Sequence, residues 1–331
     1  MKKLLSILLV TLMVTTMFAG CGAKKEEVKT GLAVITSLSK SKDVTDDAAG
    51  LAEVDSTIVA VTVDANGKII ACVIDAAQTK INFDAEGKVT TDLATEFKTK
   101  NELGDDYGMK GNSSISKEWY EQAAALANYV EGKTVAEVKA IAVDEATVPT
   151  GDDLKSSVTI SIGGFITAIE KAVTNAKALG AVSGDTLGLG VVTTIAKSKD
   201  ATTVAEGLAQ AYSNYTVVTK DSGGKITSCI IDASQGNVNF DAEGKISTDL
   251  SAEVKTKDEL GDAYGMKAQS GIGKEWYEEA AAFASYVTGK TISDVKAIAV
   301  DEEGTPTGSD LTSSVTIGVG DFIKALEKAT K

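Results

Sequence analysis

The sequence predicts an α+β fold made of two tandem copies of one small domain, each with a mainly antiparallel sheet and packed helices. Three observations lead to this prediction. Residues 31–174 and 188–331 match at a constant offset of 157 positions, as from Trp119 to Trp276, with no insertion or deletion. β-rich runs joined by short turn dipeptides come first in each copy, and amphipathic helical patterns follow them.

A processing segment precedes the copies. Lys2 and Lys3 form a charged start, Leu4–Met17 is apolar or small, and residues 18–20 suit a cleavage site before Cys21. This run is too short for a transmembrane helix, which needs about 20 apolar residues. A cysteine at this point resembles the lipobox of bacterial lipoproteins, which implies a signal peptide over residues 1–21 and lipidation of Cys21. The alternative is an ordinary secretory signal with an incidental cysteine.

Residues 22–30 are predicted to be a tether between the lipid and the folded body. Acyl chains anchor a protein without making it span the membrane, so we expect the chain at the extracytoplasmic face of the bacterial cell membrane. Taking Lys2 and Lys3 from the formal net charge of −14 leaves −16. Such an acidic body is not expected to bind nucleic acid, or anionic lipid through charge.

The residue types that are missing exclude several kinds of chemistry. The chain has no histidine and no arginine, which excludes Ser-His and Cys-His nucleophile pairs, histidine-ligated zinc or haem, and an arginine fork for phosphate. Cys72 and Cys229 occupy matching positions inside apolar runs and are predicted to be buried thiols rather than a disulfide. We therefore predict no catalytic side chain and no metal site, and expect any redox chemistry to come from a cofactor.

The repeat period is the size of a domain, so we expect two independent domains, residues 31–174 and 188–331. Residues 175–187, rich in Ala, Gly and Ser, are the predicted linker. In the first copy the predicted strands are Gly31–Leu38, Thr57–Val63, Ile69–Ile74 and Ala140–Val143. The predicted helices are Lys117–Val130, a short helix opened by the capping box of Thr134 and Glu137, and Ser161–Ala172.

The predicted hairpin turn is Asn66-Gly67 in the first copy and Gly223-Gly224 in the second. Both dipeptides suit a two-residue turn with positive φ at both central positions. On the helix Lys117–Val130, Trp119 lies on the apolar stripe, so core packing is its predicted role, and Trp276 is its counterpart.

The most specific motif lies just before the last helix of each copy. It reads Asp-Leu-Lys-Ser-Ser-Val-Thr from Asp153 to Thr159, and Asp-Leu-Thr-Ser-Ser-Val-Thr from Asp310 to Thr316. The motif resembles the C-terminal motif of the FMN-binding domain family, which occurs in one component of the sodium-pumping NADH:quinone reductase and in flavinylated surface lipoproteins. That family has Asp, two variable residues, Ser or Thr, Gly, Ala and Thr.

The resemblance implies that a flavin transferase joins FMN through a phosphoester to the last threonine, Thr159 or Thr316. The remaining motif positions implied to contact the cofactor are Asp153, Ser156, Ser157 and Val158, with Asp310, Ser313, Ser314 and Val315. The resemblance extends to the run from Val63 to Ile69, which is similar to the family's early hairpin. From the residues alone, the preferred interpretation of each threonine is a β-branched residue at a strand end or helix cap.

This chain departs from the family pattern where Ser157-Val158 and Ser314-Val315 replace Gly-Ala. Glycine permits backbone conformations that serine does not, so we expect the loop conformation to differ. Because both copies carry the same replacement, we expect two working sites of one kind. Four residues, two in each copy, are candidates for an apolar wall around the flavin ring. They are Tyr107 and Met109, with Tyr264 and Met266.

The first functional hypothesis is a lipid-anchored electron-transfer protein with FMN in each repeat, fed by a membrane dehydrogenase or quinone-linked donor. It is a carrier rather than a stand-alone enzyme, since the redox chemistry belongs to the cofactor. The alternative is a non-redox surface binding or structural lipoprotein with a degenerate FMN-binding fold. A substrate-binding lipoprotein for a transporter is disfavoured, because the halves are near-copies rather than two lobes around a cleft.

Overall fold

The computed structural model describes residues 25–331, so the predicted signal peptide, Cys21 and residues 22–24 lie outside the described residues. The chain has an α+β fold with two antiparallel sheets and helices packed on them, as predicted. No helix within residues 25–331 is long and apolar enough to cross a bilayer. The strands are β1 (Glu27–Ser37), β2 (Gly50–Val63), β3 (Ile69–Phe83), β4 (Lys177–Val182), β5 (Thr186–Thr194), β6 (Gly207–Lys220) and β7 (Ile226–Phe240).

The first sheet has the order β3-β2-β1-β4 and the second has the order β5-β6-β7. Ile58 in the middle of β2 pairs with Val34 of β1 on one side and with Asp75 of β3 on the other. β2 and β3 begin or end well beyond the predicted Thr57–Val63 and Ile69–Ile74. The added stretches carry polar residues that mask the apolar pattern, and those residues pair across the strands, as Gln78 Nε2 does by donating to Glu53 Oε1 at 2.7 Å.

Two segments predicted to be a tether and a linker contain strands instead. β1 already begins at Glu27, within the predicted tether, and Lys177–Val182 of the predicted linker forms β4. β4 pairs with the start of β1, where Lys29 faces Ala178. Pairing satisfies the backbone groups at the open edge of β1, which explains why this Ala- and Gly-rich segment is ordered as a strand.

The β2–β3 hairpin turns on an aspartate rather than on two residues with positive φ. Asp64 Oδ1 accepts the backbone N–H groups of Asn66 and Lys68, each at 2.8 Å, and among the turn residues only Gly67 has positive φ, at 78°. The predicted two-residue turn is therefore wrong in type, although the hairpin itself is present. The same aspartate loop begins at five further positions: Asp84, Asp144, Asp221, Asp241 and Asp301.

The helices follow the strands in each repeat. The capping box of Thr134 and Glu137 is confirmed. The predicted strand Ala140–Val143 is wrong, because Ala140 ends a helix and Val143 makes only an isolated bridge to Pro149. The helices are α1 (Lys100–Leu103), α2 (Trp119–Val130), α3 (Val135–Lys139), α4 (Gly163–Thr174), α5 (Lys257–Leu260), α6 (Trp276–Val287), α7 (Ile292–Lys296) and α8 (Gly320–Ala329).

Helices cover the outer face of each sheet. α2 and α4 pack on the first sheet, and α6 and α8 pack on the second. Trp119 and Trp276 are buried in these two cores, which confirms their predicted packing role. Cys72 and Cys229 are free thiols buried in the same cores, as predicted.

The inner faces of the two sheets pack against each other, so the prediction of independent domains is wrong. Phe83 and Phe240, at matching positions of the two repeats, stack with ring centroids 4.1 Å apart and planes inclined by 9°. Tyr215 is fully buried between the sheets, and its hydroxyl donates to Ser56 of the other repeat at 3.2 Å. The result has four layers: helices, sheet, sheet and helices.

The contacts between repeats occur in reciprocal pairs, as in a two-fold symmetric dimer. Two hydrogen bonds from backbone N–H groups, two bridges and two salt bridges across the repeats form three such pairs. The matched pairs are Val89 N to Asp200 Oδ1 with Ile246 N to Asp43 Oδ1, the bridges Thr36 to Val254 and Thr193 to Phe97, and the salt bridges Lys171 to Glu259 and Lys328 to Glu102. A pseudo-two-fold axis therefore passes between Phe83 and Phe240.

We predict that the two repeats unfold as one unit. Trp119→Phe and Trp276→Phe each leave a chain with a single tryptophan that reports on one repeat. Phe83→Ala is expected to lower the free energy of unfolding by about 3–5 kcal/mol because it empties a packed aromatic site. Urea titrations should show the fluorescence midpoints of both reporters falling together. The control Leu93→Ala, at an exposed position, should change the unfolding free energy by less than about 0.5 kcal/mol. If Phe83→Ala lowered only the unfolding midpoint that Trp119 reports, the prediction that the two repeats unfold as one unit would be wrong.

Candidate functional site

The motif of each repeat forms a compact turn that packs on the end of α2 or α6. Leu154 and Val158 are buried and anchor the turn in the first core, and Leu311 and Val315 do so in the second. Val158 N donates to Leu154 O at 3.0 Å, which closes the turn. Val158, at the position where the resembled motif has alanine, is therefore a core residue.

The serine at the position where the resembled motif has glycine needs no special backbone geometry. Ser157 and Ser314 are not among the residues with positive φ, and each hydroxyl donates to the carbonyl of the leucine three residues earlier. The loop was expected to change conformation where serine replaces glycine. Its φ angle gives no reason for such a change, since serine adopts this conformation without strain. Ser156 and Ser313, one residue earlier, are exposed.

The motif aspartate ties the turn to a helix. Asp153 Oδ2 accepts the hydroxyl of Tyr129 in α2 at 2.6 Å, and Asp310 Oδ2 accepts that of Tyr286 in α6 at the same distance. This hydrogen bond raises the pKa of Tyr129 and lowers the pKa of Asp153. Each of these exposed aspartates thus holds the motif turn against its helix.

In the first repeat the motif threonine is bound to a buried amide. Thr159 N and Thr159 Oγ1 both donate to Gln122 Oε1, at 2.8 and 3.2 Å, and Gln122 in α2 has no exposed surface. Gln122 Nε2 in turn donates to Ser113 Oγ at 3.2 Å and to Lys117 O at 3.3 Å. Gln122 therefore joins the motif turn to the loop that precedes α2.

In the second repeat a carboxylate takes the place of that amide. Glu279, also without exposed surface, accepts Thr316 N at 2.6 Å and Ile317 N at 3.1 Å. It also accepts Thr316 Oγ1 at 3.0 Å and Ser270 Oγ at 2.9 Å. Four donors surround this carboxylate, and such hydrogen bonds offset the cost of burying its charge. The two threonines therefore occupy equivalent positions, but Thr159 is next to a neutral amide and Thr316 is next to a carboxylate.

The predicted ring-wall residues lie in the loop before α2 and before α6. Tyr107 and Met109 pack against the partly buried edge of the first core, and Tyr264 and Met266 do the same in the second. Met109 N donates to Glu118 Oε2 at 2.9 Å, so this glutamate holds the loop on the first turn of α2. No direct contact joins Tyr107 to Thr159 among the described side-chain hydrogen bonds. Gln122 connects Thr159 to Ser113, which lies in the same loop as Tyr107.

Lysine ammonium groups occupy one face of these tyrosine rings. Lys100 Nζ lies 4.6 Å from the ring centroid of Tyr107. Lys257 is enclosed more completely: its Nζ lies 4.5 Å from the ring of Tyr264 and donates to the hydroxyl of Tyr212 at 2.8 Å. Burial lowers the pKa of Lys257 to about 8, although the nearby Asp232 opposes that shift.

The helix that follows each motif has no side-chain cap at its N-cap residue. Ile162 precedes α4 and Val319 precedes α8, and neither offers an acceptor to the first helical N–H groups. Gly164 and Gly320 in the first turns have open space beside them. In the first repeat Gly163 N donates to Thr147 Oγ1 at 3.3 Å. Unpaired N–H groups at a helix N-terminus favour an anion.

A second group of functional candidates is absent from the sequence predictions. Asp75 and Asp232 are buried at matching positions of β3 and β7. Burial raises the pKa of Asp75 to about 6 and that of Asp232 to about 8, and the charge of Asp258 adds to the second shift. Each Oδ1 accepts two backbone N–H groups, from Ala76 and Asn101 in the first repeat and from Ala233 and Asp258 in the second.

Gln122 and Glu279 were also absent from the residues predicted for the site. The available signal was their position on the helix. Gln122 lies three residues after Trp119 and four before Leu126, so a polar side chain stands on an otherwise apolar stripe. A polar residue at such a position is expected to be buried with hydrogen-bond partners.

Comparison with known proteins gives little that bears on the site. No family model matches the chain, and no solved structure matches it. The chain is similar to the chlorophenol reductase of Desulfitobacterium hafniense, with 50% identity over 42 residues. The similar stretch is 13% of this chain and 13% of that protein. The chain thus matches about an eighth of the length of this curated relative, too little to indicate a family.

We predict that Glu279→Ala destabilises the protein and that Glu279→Gln does not. Alanine leaves Thr316 N and Ile317 N without an acceptor, at about 1–3 kcal/mol for each such buried group. Glutamine can accept from these groups through its oxygen and donate to Ser270, as Gln122 does to Ser113. Unfolding titrations measure the difference. Equal destabilisation by both substitutions would contradict the hydrogen-bonding role.

The raised pKa of Asp232 gives a second prediction, on pH dependence. A carboxyl whose pKa is raised by folding stabilises the protein fully below its ordinary pKa of 3.8, and this contribution is lost as the pH rises to about 8. We expect the unfolding free energy to fall over this range and Asp232→Asn to flatten the fall. Asp75→Asn, the matched variant, should change the pH dependence of the unfolding free energy only up to about pH 6. Urea titrations at several pH values test this, and an unchanged profile in Asp232→Asn would contradict it.

Proposed function

We propose that this chain is a lipid-anchored, extracytoplasmic electron-transfer protein that carries FMN covalently on threonine in its repeats. The observation that carries the proposal is the motif threonine. Thr159 and Thr316 lie on the same turn in both repeats, three residues before an N-cap residue without a side-chain acceptor. A phosphate joined to either hydroxyl would lie close in sequence to unpaired helical N–H groups, in a chain with no arginine.

The residues present fit the phosphate end of FMN. Thr159 or Thr316 would form the ester, and the N–H groups of the first turn of α4 or α8 that have no side-chain acceptor would face the phosphate. Open space beside Gly164 and Gly320 is consistent with close approach of a ligand. When bound, the flavin supplies the redox chemistry, while the chain orients it. Because lysines cover one face of Tyr107 and Tyr264, those rings offer a flavin only their remaining surface.

The two threonines are not equivalent acceptors. A phosphoester removes the hydroxyl proton that each threonine donates, to Gln122 in one repeat and to Glu279 in the other. The phosphodiester is an anion. At Thr159 the neighbouring group is the neutral amide of Gln122, whereas at Thr316 the carboxylate of Glu279 repels the phosphodiester. We therefore expect flavin to load on Thr159 more completely than on Thr316.

Anchoring and partners complete the proposal. Cys21 is the proposed lipidation site, and a flavin transferase would attach the cofactor. A membrane dehydrogenase or a quinone-linked donor would reduce it. Cys21 precedes β1 by only six residues, so a lipid on this cysteine would keep the folded body close to the membrane that holds such a donor.

We predict that the mature chain retains flavin after denaturation when it is co-expressed with a flavin transferase. Intact mass and visible absorbance of the denatured protein measure the number of flavins attached. Thr159→Ala and Thr316→Ala should each remove the flavin of one repeat, and Glu279→Gln should raise the amount on Thr316. The control is Thr150→Ala, which changes an exposed threonine just before the motif in sequence. A denatured protein without flavin, or loss of flavin in the control, would contradict covalent carriage on the motif threonines.

A further inference from the structure

The two sheets differ by one strand, and the difference leaves part of β5 without a neighbour. In the first sheet β4 pairs with the start of β1, where Thr30 faces Lys177. β5 is the match of β1 in the second repeat. In the described part of the chain, β5 is joined on its side away from β6 only by the isolated bridge of Thr193 to Phe97. The stretch Thr186–Leu189 is therefore an open strand edge.

The backbone groups of this edge point away from β6. Val191 O accepts Lys328 Nζ at 2.8 Å, so the backbone groups of Val191 are directed to that side. Alternate residues of a strand direct their N–H and C=O groups to the same side, so those of Leu189 and Leu187 point the same way. Leu187 and Leu189 can thus form the ladder hydrogen bonds of a further strand.

The side chains along this edge form an apolar groove. Leu187 and Leu189 pack on the core between the sheets but keep part of their surface exposed. Their matches in β1, Thr30 and Leu32, are only 0% and 6% exposed. Ile70 at the start of β3 is also apolar, and it is 39% exposed. The second repeat therefore leaves uncovered the surface that is buried in the first.

The position of β4 shows how a strand would fit this groove. Gly180 of β4 lies against β7, so that a Cβ at Gly180 would be 2.8 Å from Thr227 O. Thr227 is the match of Ile70, so a strand on β5 that followed the course of β4 would cross Ile70. The ends of α4 and α8 pack on Gly31 and Gly188 in the same way. The surroundings of β4 are thus repeated beside β5.

The chemistry of the groove favours an extended segment that is apolar and not acidic. β4 itself, Lys177–Val182, has the sequence Lys-Ala-Leu-Gly-Ala-Val, with one charged residue. Thr186–Leu189 contains neither the lysine nor the proline that often protects an exposed strand edge. The chain after its predicted signal peptide has a formal net charge of −16, as the loss of Lys2 and Lys3 from −14 gives, so it repels an acidic segment.

We propose that the groove along β5 binds an extended, apolar segment of a partner protein, which pairs antiparallel with Leu187–Leu189 as a fourth strand of the second sheet. Main-chain hydrogen bonds supply the affinity, and contact with Ile70 selects apolar side chains. This surface is separate from the motif threonines, so the proposal does not rest on flavin carriage.

The test uses the full mature chain and a synthetic peptide with capped ends that copies Asn175–Ser183. Isothermal titration is expected to show one peptide bound per chain. A peptide with Ala178→Pro and Ala181→Pro should bind at least about tenfold more weakly, because proline cannot donate to the ladder. A peptide with glutamate at the same two positions should also bind at least about tenfold more weakly.

Matched variants locate the binding surface. Ile70→Lys should weaken binding of the first peptide at least about tenfold, whereas Leu93→Lys, also at an exposed apolar position, should leave binding unchanged. A second variant covers the edge from within the chain. Lys331 is the match of Thr174, so Asn175–Ser183 appended after Lys331 would continue the second repeat as it continues the first. This extended chain should no longer bind the peptide, whereas the same extension with the two prolines should still bind it.

Several results would overturn the proposal. They are no binding of the first peptide, equal binding of the proline peptide, equal effects of Ile70→Lys and Leu93→Lys, and full binding by the extended chain. Sedimentation of the chain alone at the titration concentration should show a monomer. A dimer that Ile70→Lys dissociates would make a second copy the occupant of the groove and would overturn the assignment to a partner protein.

Discussion

The packing of the two inner sheet faces is the interaction on which the rest of the structure depends. Each three-strand unit is apolar on both faces, and its own helices cover only one of them. A single repeat would therefore expose an apolar sheet face, which small domains rarely tolerate. Burying Tyr215 and stacking Phe83 on Phe240 removes that face from water in both repeats at once. The same packing brings the edges of β1 and β7 together, and β4 contacts both strands.

Local features of the fold could be predicted from the sequence because they depend on residues close along the chain. The apolar stripe of α2 and the capping box at Thr134 need only neighbours three or four residues away. The inner sheet face could not be recognised in this way. Val54 and Ile81 are buried against the other repeat. Their neighbours in sequence, Glu53 and Lys80, are charged, so these stretches do not stand out as apolar runs. Alternation can mark a buried face without identifying what covers it.

The same division holds for the candidate site. The motif identified the turn, and its Val158 and Asp153 have contacts that explain their residue types. What the threonine hydroxyl meets was not predictable from the motif, because Gln122 is 37 residues away and belongs to another element. The interpretation of Tyr107 as a ligand wall was incomplete for a similar reason. Its ring already contacts Lys100, and a sequence pattern does not show which way a long side chain folds back.

Symmetry explains which residues the two repeats share and which they do not. A contact across the pseudo-two-fold axis is made twice, so one substitution in an ancestral repeat would disturb both copies of it. Lys171 with Glu259 and Lys328 with Glu102 keep the same residue types. Positions that face only their own repeat are free of this constraint, and one of them differs between the repeats. Gln122 is replaced by Glu279. The motif turn therefore has the same backbone hydrogen bonds in both repeats, while the charge beside each threonine differs between them.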